Sequence, residues 1–152
     1  MSKKKGIWFY GLSGSGKSYA TKLLYKKIKK PILIDGDEVR KNISFDLKYS
    51  KNDRNIQLKR MLGLGKIAIN SNIFPLLSTV WMNKKILNSA NKIGIKVIKV
   101  EANIKELIKT HKTYGNKKDV VGINIQYEKN LNSTIIKNNK DNKFWNTLKK
   151  LI

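Results

Sequence analysis

The sequence predicts an α/β fold in which a mainly parallel sheet lies between layers of helices, and three observations carry that expectation. Apolar runs of strand length recur at residues 7–10, 32–34, 75–80 and 97–100. Between them lie stretches with helical spacing of apolar residues, at 17–30, 52–71 and 83–93. No internal repeat and no Pro/Gly/Ser linker divides the 152 residues, which places a single domain over 1–152. Strands alternating with helices of this length build parallel sheets with helical crossovers.

Taken in order, Ile7-Trp8-Phe9-Tyr10 reads as a buried strand ending at Gly11, with Trp8 and Phe9 in the core. The helix predicted over 17–30 places Ala20, Leu23, Leu24 and Ile28 on one face, and Pro31 stops it. Ile32-Leu33-Ile34 reads as a second buried strand that ends at Asp35. The long helix over 52–71 carries Ile56, Leu58, Met61, Leu62 and Ile69, and Gly63 and Gly65 in it mark close packing. A third strand over 75–80, a helix over 83–93, a fourth strand over 97–100 and a helix over 103–110 follow. A polar stretch near 112–121 separates these from a last amphipathic helix over 139–152, packed through Phe144, Trp145, Leu148 and Leu151.

Composition narrows the function. Lys and Arg number 33 against 10 carboxylates, a net charge of +23. Only 3 of those cations are Arg, and Lys is spread along the whole chain, so the charge reads as a solvated surface. Nucleic acid is therefore not an expected partner; a small anionic nucleotide is. With no Cys and one His, disulfides and thiolate or His-cluster metal sites are excluded. His111 reads as a surface residue. No apolar run approaches the ~18 residues of a membrane span, and the first residues lead straight into a strand, so no membrane association and a cytoplasmic location are expected. Arg40, Arg54 and Arg60 stand out in a chain that otherwise writes Lys, because Lys cannot replace a planar bidentate guanidinium.

Gly11-Leu12-Ser13-Gly14-Ser15-Gly16-Lys17-Ser18 matches GxxxxGK[ST] at every fixed position, directly after a strand and before a helix. Backbone N–H groups of such a loop wrap a phosphate at a helix N-terminus. Lys17 reaches the β- and γ-phosphates, and Ser18 serves as a Mg²⁺ ligand. The expectation is a P-loop three-layer α/β/α nucleotide binder using ATP and Mg²⁺, with Gly11, Ser13, Gly14, Ser15, Gly16, Lys17 and Ser18 at the donor.

The second strand ends in Asp35-Gly36-Asp37-Glu38-Val39-Arg40. Ligands of open parallel sheets gather beyond the strands' carboxyl ends, so this turn is expected beside the phosphate loop. Phosphoryl transfer to a hydroxyl needs a carboxylate that serves Mg²⁺ or accepts the hydroxyl proton. Asp35 is the candidate, with Lys17 as the second catalytic group, and Asp37 and Arg40 orient the acceptor. The alternative for Asp35 is an N-cap on a short helix.

These residues resemble the adenylyl-sulfate kinases. The phosphate loop, Asp35-Gly36-Asp37 with Arg40, Lys48-Tyr49-Ser50 and the Asp53-Arg54-Asn55-Ile56-Gln57 helix start are similar to family motifs, and Gly122-Ile123-Asn124-Ile125-Gln126-Tyr127-Glu128 resembles a later one. The resemblance implies transfer from MgATP to a ribose 3′-hydroxyl, Tyr49 stacking on the acceptor's base, Arg54 and Arg40 on its 5′ anionic group, and a homodimer. Arg60 reads as a structural ion pair.

The sequence departs from the family on the acceptor side. Gln57 replaces an Asn, and Ser78-Thr79-Val80-Trp81-Met82-Asn83-Lys84 replaces a Phe- and Pro-containing strand end. The lid, roughly 111–122, is short, with Val120 where a second aromatic wall is expected. Thr79, Val80, Asn83, Lys118 and Val120 are accordingly expected at the acceptor, Lys117 and Lys118 at phosphates, and Trp81 as a candidate contact. A smaller base fits a slot with one aromatic wall, and Gln57 and Asn83 offer the donors and acceptors that reading cytosine needs. The chain looks most like the branch acting on cytidine diphosphoramidate in capsule decoration. Adenylyl-sulfate kinase itself is the alternative enzyme, and a non-catalytic nucleotide- or RNA-binding module is the alternative of another class.

Overall fold

The computed structural model describes residues 4–115 and 118–152. Its five strands are β1 (Gly6–Tyr10), β2 (Pro31–Asp35), β3 (Phe74–Thr79), β4 (Ile95–Glu101) and β5 (Thr134–Lys137). They form one sheet in the order β2-β3-β1-β4-β5, every neighbouring pair parallel. The helices are α1 (Lys17–Tyr25), α2 (Gly36–Asn42), α3 (Lys51–Asn70), α4 (Lys84–Lys92), α5 (Ile104–Thr110) and α6 (Asn142–Lys149).

Period-two alternation in the central strand divides the core between the two faces. Trp8 and Tyr10 point into a cluster with Leu58, Met61, Ile86 and Leu87, under α3 and α4. Ile7 and Phe9 point into the opposite cluster with Ala20, Leu24, Phe144 and Leu148, under α1 and α6. All five residues of β1 are buried, as a central parallel strand requires. Trp8 and Phe9 are core residues as expected, and Trp145 packs tilted against Tyr19 at 3.9 Å between ring centroids.

Several expected boundaries change. The first helix stops at Tyr25 instead of residue 30. Lys30 takes φ 51, and a helix cannot run through that conformation into Pro31. Pro31 opens β2, a position where its missing N–H is tolerated. The expectation that 32–34 is buried fails for Ile32 and Leu33, which are 40% and 41% exposed because β2 is the sheet's edge; only Ile34 is buried. Close packing holds for Gly65, where a Cβ would lie 3.0 Å from Ile95 Cδ1, but not for Gly63, which faces open space. The last helix is shorter than 139–152 and starts after Asp141, whose carboxylate accepts from Phe144 N. The sequence predicts no β5, and α2 only as the short-helix alternative for Asp35. Thr134-Ile135-Ile136-Lys137 is a short edge strand with one buried residue, Ile136, and so shows little hydrophobic contrast.

Phe144 anchors α6 at 1% exposure among Phe9, Ala20 and Leu148. Phe144→Ala is expected to cost about 3–5 kcal/mol of stability, read as a lower urea midpoint.

Candidate active site

The parallel register brings the chemistry to one end of the sheet. Tyr10 pairs with Thr79, and Asp35 with Ser78, so the chain leaves β1, β2 and β3 side by side. Beyond β1, Gly11 is held so close to β4 that a Cβ there would lie 2.2 Å from Val100 O. Gly16 closes the loop in the left-handed region at φ 104, where glycine alone is unstrained.

The six helices differ at their N-termini in one respect. Asp35, Ser50, Asn83, Asn103 and Asp141 each cap theirs with a side chain, whereas α1 begins at Gly16 with no side-chain cap. The first N–H groups of α1 are thus left to an outside acceptor, and the dipole favours an anion there. Lys17 stands in the same turn, 9% exposed, with Nζ donating to Leu12 O at 2.8 Å. Burial lowers its pKa to about 8, opposed by the charges of Asp35 and Asp37. A desolvated cation beside uncapped amides fits a polyphosphate. Ser18 is exposed on α1's first turn, and Ser15 is buried with its Oγ unpartnered. Neighbouring segments hold the loop's carbonyls: Tyr114 Oη donates to Ser13 O at 2.7 Å, and Asn138 Nδ2 to Ser15 O at 2.8 Å.

Asp35 is the N-cap of α2, the alternative the sequence left open, and it also faces the loop. Its Oδ1 accepts from Asp37 N at 3.0 Å and its Oδ2 from Ser78 Oγ at 2.5 Å. These two bonds fix the carboxylate's orientation and leave it further lone pairs. Among the described residues no cluster of three or more His, Asp or Glu forms a ready-made cation cage. A Mg²⁺ ion here would depend on Ser18, Asp35 and ligand phosphates, as is usual for this cation.

A cavity of about 410 Å³ opens next to the loop, lined in part by Ser13, Asp37, Arg40, Tyr49, Arg54 and Gln57. Ser50 caps α3 beside the cavity, its Oγ accepting from Asp53 N and donating to Asp53 Oδ2. This cap sets the first turn of α3, which carries Arg54. The Arg40 and Arg54 guanidiniums lie over the Tyr49 ring at 4.6 and 5.6 Å from its centroid. Arg54 also donates to Tyr49 O and to Asp119 O, tying the rim to the 111–122 segment. Burial, followed by the charge of Arg40, lowers the Arg54 pKa. Two guanidiniums held this close in a cleft make the local potential strongly positive.

Thr79, Val80, Trp81, Lys118 and Val120 also line the cavity, while Asn83 does not. Asn83 caps α4, its Oδ1 accepting from Ile86 N while its Nδ2 donates to Asn55 Oδ1, so each end of its amide already serves a structural partner. Thr79 lines the wall with its hydroxyl engaged, donating to Trp81 O and accepting from Trp8 Nε1. Lys117 lies outside the described residues. His111 is exposed, as expected, and its imidazole rests against Gly14. Arg60 makes the expected ion pair, two-pronged with Asp46 at 2.6 and 2.8 Å.

Sequence reading overlooked Asn55 and Tyr127 as supports of the site. Asn55 Oδ1 also accepts from Trp81 Nε1, and Tyr127 stacks on Trp81 at 5.7 Å and 9° while donating to Val80 O. Burial raises the Tyr127 pKa far above its ordinary value, so it serves as a donor throughout the working pH range. No spacing signal links residues 55, 81 and 127; only the fold joins them.

A glycine-rich phosphate loop opening a helix, with a carboxylate at the next strand end, defines a nucleotide-binding protein of the P-loop kinase type. The family model described as adenylylsulphate kinase matches residues 3–138, and the chain belongs to that family. It is 34% identical over 137 residues to an adenylyl-sulfate kinase of Buchnera aphidicola, covering 80% of this chain and 65% of that protein. An adenylyl-sulfate kinase of Gloeothece citriformis is 31% identical over 149 residues, covering 88% and 84%. The chain thus spans about two thirds of the Buchnera protein and most of the cyanobacterial one. Among solved structures, the Mycobacterium tuberculosis APS kinase CysC in complex with AMPPNP and APS superposes with a TM-score of 0.80 at 22% identity, covering 98% of this chain and 95% of that one. That likeness is one of fold.

The depressed Lys17 pKa gives a test with a definite sign. Between about pH 8 and 10.5 the unfolded chain holds a proton on Lys17 that the native state releases, so Lys17 makes stability rise with pH over this window. A bound polyphosphate favours the ammonium, so nucleotide binding near pH 8.5 is expected to take up protons and to weaken as pH rises. Calorimetry in buffers of different ionisation enthalpy should detect uptake in the wild type and none from this group in Lys17→Met.

Proposed function

We propose that this protein is a MgATP-dependent kinase that phosphorylates the ribose 3′-hydroxyl of a nucleoside 5′-diphosphate-like acceptor, with cytidine diphosphoramidate as that acceptor. The observation that carries the kinase reading is the cavity running from Ser13 of the phosphate loop to the Arg40–Tyr49–Arg54 cluster, lined also by Gly36 and Asp37, which directly follow Asp35. In this reading the loop amides, Ser13 and Lys17 hold the donor's phosphates. Lys17 neutralises the charge that develops during transfer. Mg²⁺, held through Ser18 and Asp35, supplies further neutralisation of the phosphates. Asp35, oriented by Asp37 N and Ser78, accepts the proton of the attacking hydroxyl. Arg40 and Arg54 grip the acceptor's anionic tail, and Tyr49 stacks on its base. Catalysis is then chiefly positioning and electrostatic stabilisation.

The choice of base rests on the cavity's walls. Val120 stands where a second aromatic wall is expected for a purine, and it packs with Leu107 and Tyr114 instead. An aliphatic side chain at this wall, in place of an aromatic one, suits a pyrimidine. Adenylyl sulfate is the second reading, supported by the names of the relatives in Buchnera and Gloeothece.

Asp35→Asn is expected to retain ADP and ATP binding while turnover falls by about 100-fold or more. Near-normal turnover would remove Asp35 from its assigned role. A coupled assay of ADP release, offering cytidine diphosphoramidate and adenylyl sulfate in parallel, should give the higher kcat/KM on the former. The opposite order would replace the acceptor reading with the second one, and ATP turnover on neither would favour a binding module.

A further inference from the structure

Gln57 is 4% exposed and lines the acceptor cavity. Its Nε2 donates to Gly36 O at 3.0 Å, which fixes the amide's orientation, since only the nitrogen can serve a carbonyl. Its Oε1 is buried and has no hydrogen-bond partner among the described residues. A buried acceptor without a donor is costly, and native structures pair such groups with protein, water or ligand. The cavity's two arginines are engaged elsewhere in the rim: Arg40 donates to Lys48 O, and Arg54 to Tyr49 O and Asp119 O.

Position decides which part of an acceptor would meet this oxygen. Gln57 follows Arg54 by three residues on α3, so the two share a helix face. Its other anchor, Gly36, begins α2, the helix that carries Arg40. Gln57, anchored to the start of α2 and one helical turn from Arg54, thus lies on the side of the cavity that the two arginines share. An anion with oxygens alone gives Oε1 only repulsion there, whereas a tetrahedral group with one N–H in place of an oxygen pairs with it.

We infer that Gln57 is a specificity-determining residue that selects acceptors whose terminal anionic group carries an N–H donor, a phosphoramidate over a sulfate. This deepens the proposed function and rests on its assignment of Arg40 and Arg54 to the acceptor's tail. The two groups carry equal charge and are both tetrahedral, so the arginines distinguish them poorly. A hydrogen bond gained by one and a repulsion imposed on the other distinguish them well.

The test is a set of binding titrations with the phosphate loop saturated by AMPPNP and Mg²⁺. The ligands are the phosphoramidate and the sulfate of cytidine 5′-phosphate, the same pair built on adenosine 5′-phosphate, and uridine diphosphoramidate. The wild type is expected to bind each phosphoramidate about tenfold or more tightly than its sulfate partner. Gln57→Met, which removes the acceptor at similar volume, should bring that ratio near one, while Gln57→Glu keeps an acceptor and keeps the preference. The ratio is taken within each variant, so a reduced folded fraction cancels. A wild-type ratio near one, or a ratio that Gln57→Met leaves unchanged, overturns the inference. So does a Gln57→Met effect confined to cytidine against uridine diphosphoramidate, which would assign the oxygen to the base's amine. If the adenosine pair binds more tightly than the cytidine pair with the same Gln57-dependent ratio, the cytidine reading fails and this inference stands.

Discussion

The parallel register of β2, β3 and β1 is the constraint on which the candidate site depends. Hydrogen-bonded pairing of Asp35 with Ser78, and of Tyr10 with Thr79, leaves no freedom in where the two following turns emerge. The phosphate loop must begin beside Thr79, whose carbonyl accepts from Gly11 N at 3.2 Å. The acidic turn must begin beside Ser78, whose hydroxyl holds Asp35. A slip of one residue in either pair would turn Asp35 to the other face of the sheet. The two buried clusters that flank β1 fix that register, because Trp8 and Tyr10 fill one and Ile7 and Phe9 the other.

Charge in this protein works at two levels. The many Lys side chains give a positive field suited to drawing in polyanions, with no geometric selectivity of their own. Selectivity needs groups that are buried or held. Lys17 is buried, and Arg40 and Arg54 are held by backbone carbonyls against Tyr49. Arg60, the third arginine, is tied to Asp46 on the surface. Arginine is thus used only where a planar, two-pronged cation does what lysine cannot.

The walls of the cavity show how far local sequence falls short of a site. Asn83 sits in a polar run after a strand and invites a role in base reading, yet the start of α4 needed a cap and took it. Asn55 joins Asn83 and Trp81 through one oxygen, so an Asn to which the sequence assigned no role sets the position of an aromatic wall. The same holds for β2. Its apolar run reads as buried, but a strand's burial depends on its neighbours, and β2 has one neighbour in the sheet. The short edge strand β5 escaped notice because its stability comes from pairing with β4 and from Ile136 alone.

By itself the sequence determined the α/β class, four of the five strands, the phosphate loop and the carboxylate at the second strand's end. Each rests on a local pattern: apolar periodicity, glycines at fixed spacing, or a motif directly after a strand. Tertiary structure alone decided which side chains keep free valences toward a ligand. Gln57 and Asn83 are both buried amides near one cleft, but a carbonyl of α2 takes only the nitrogen of the first, while a helix start and Asn55 take both ends of the second. Hydrogen bonding is saturable and directional, so what an amide can recognise is set by the partners folding has already given it.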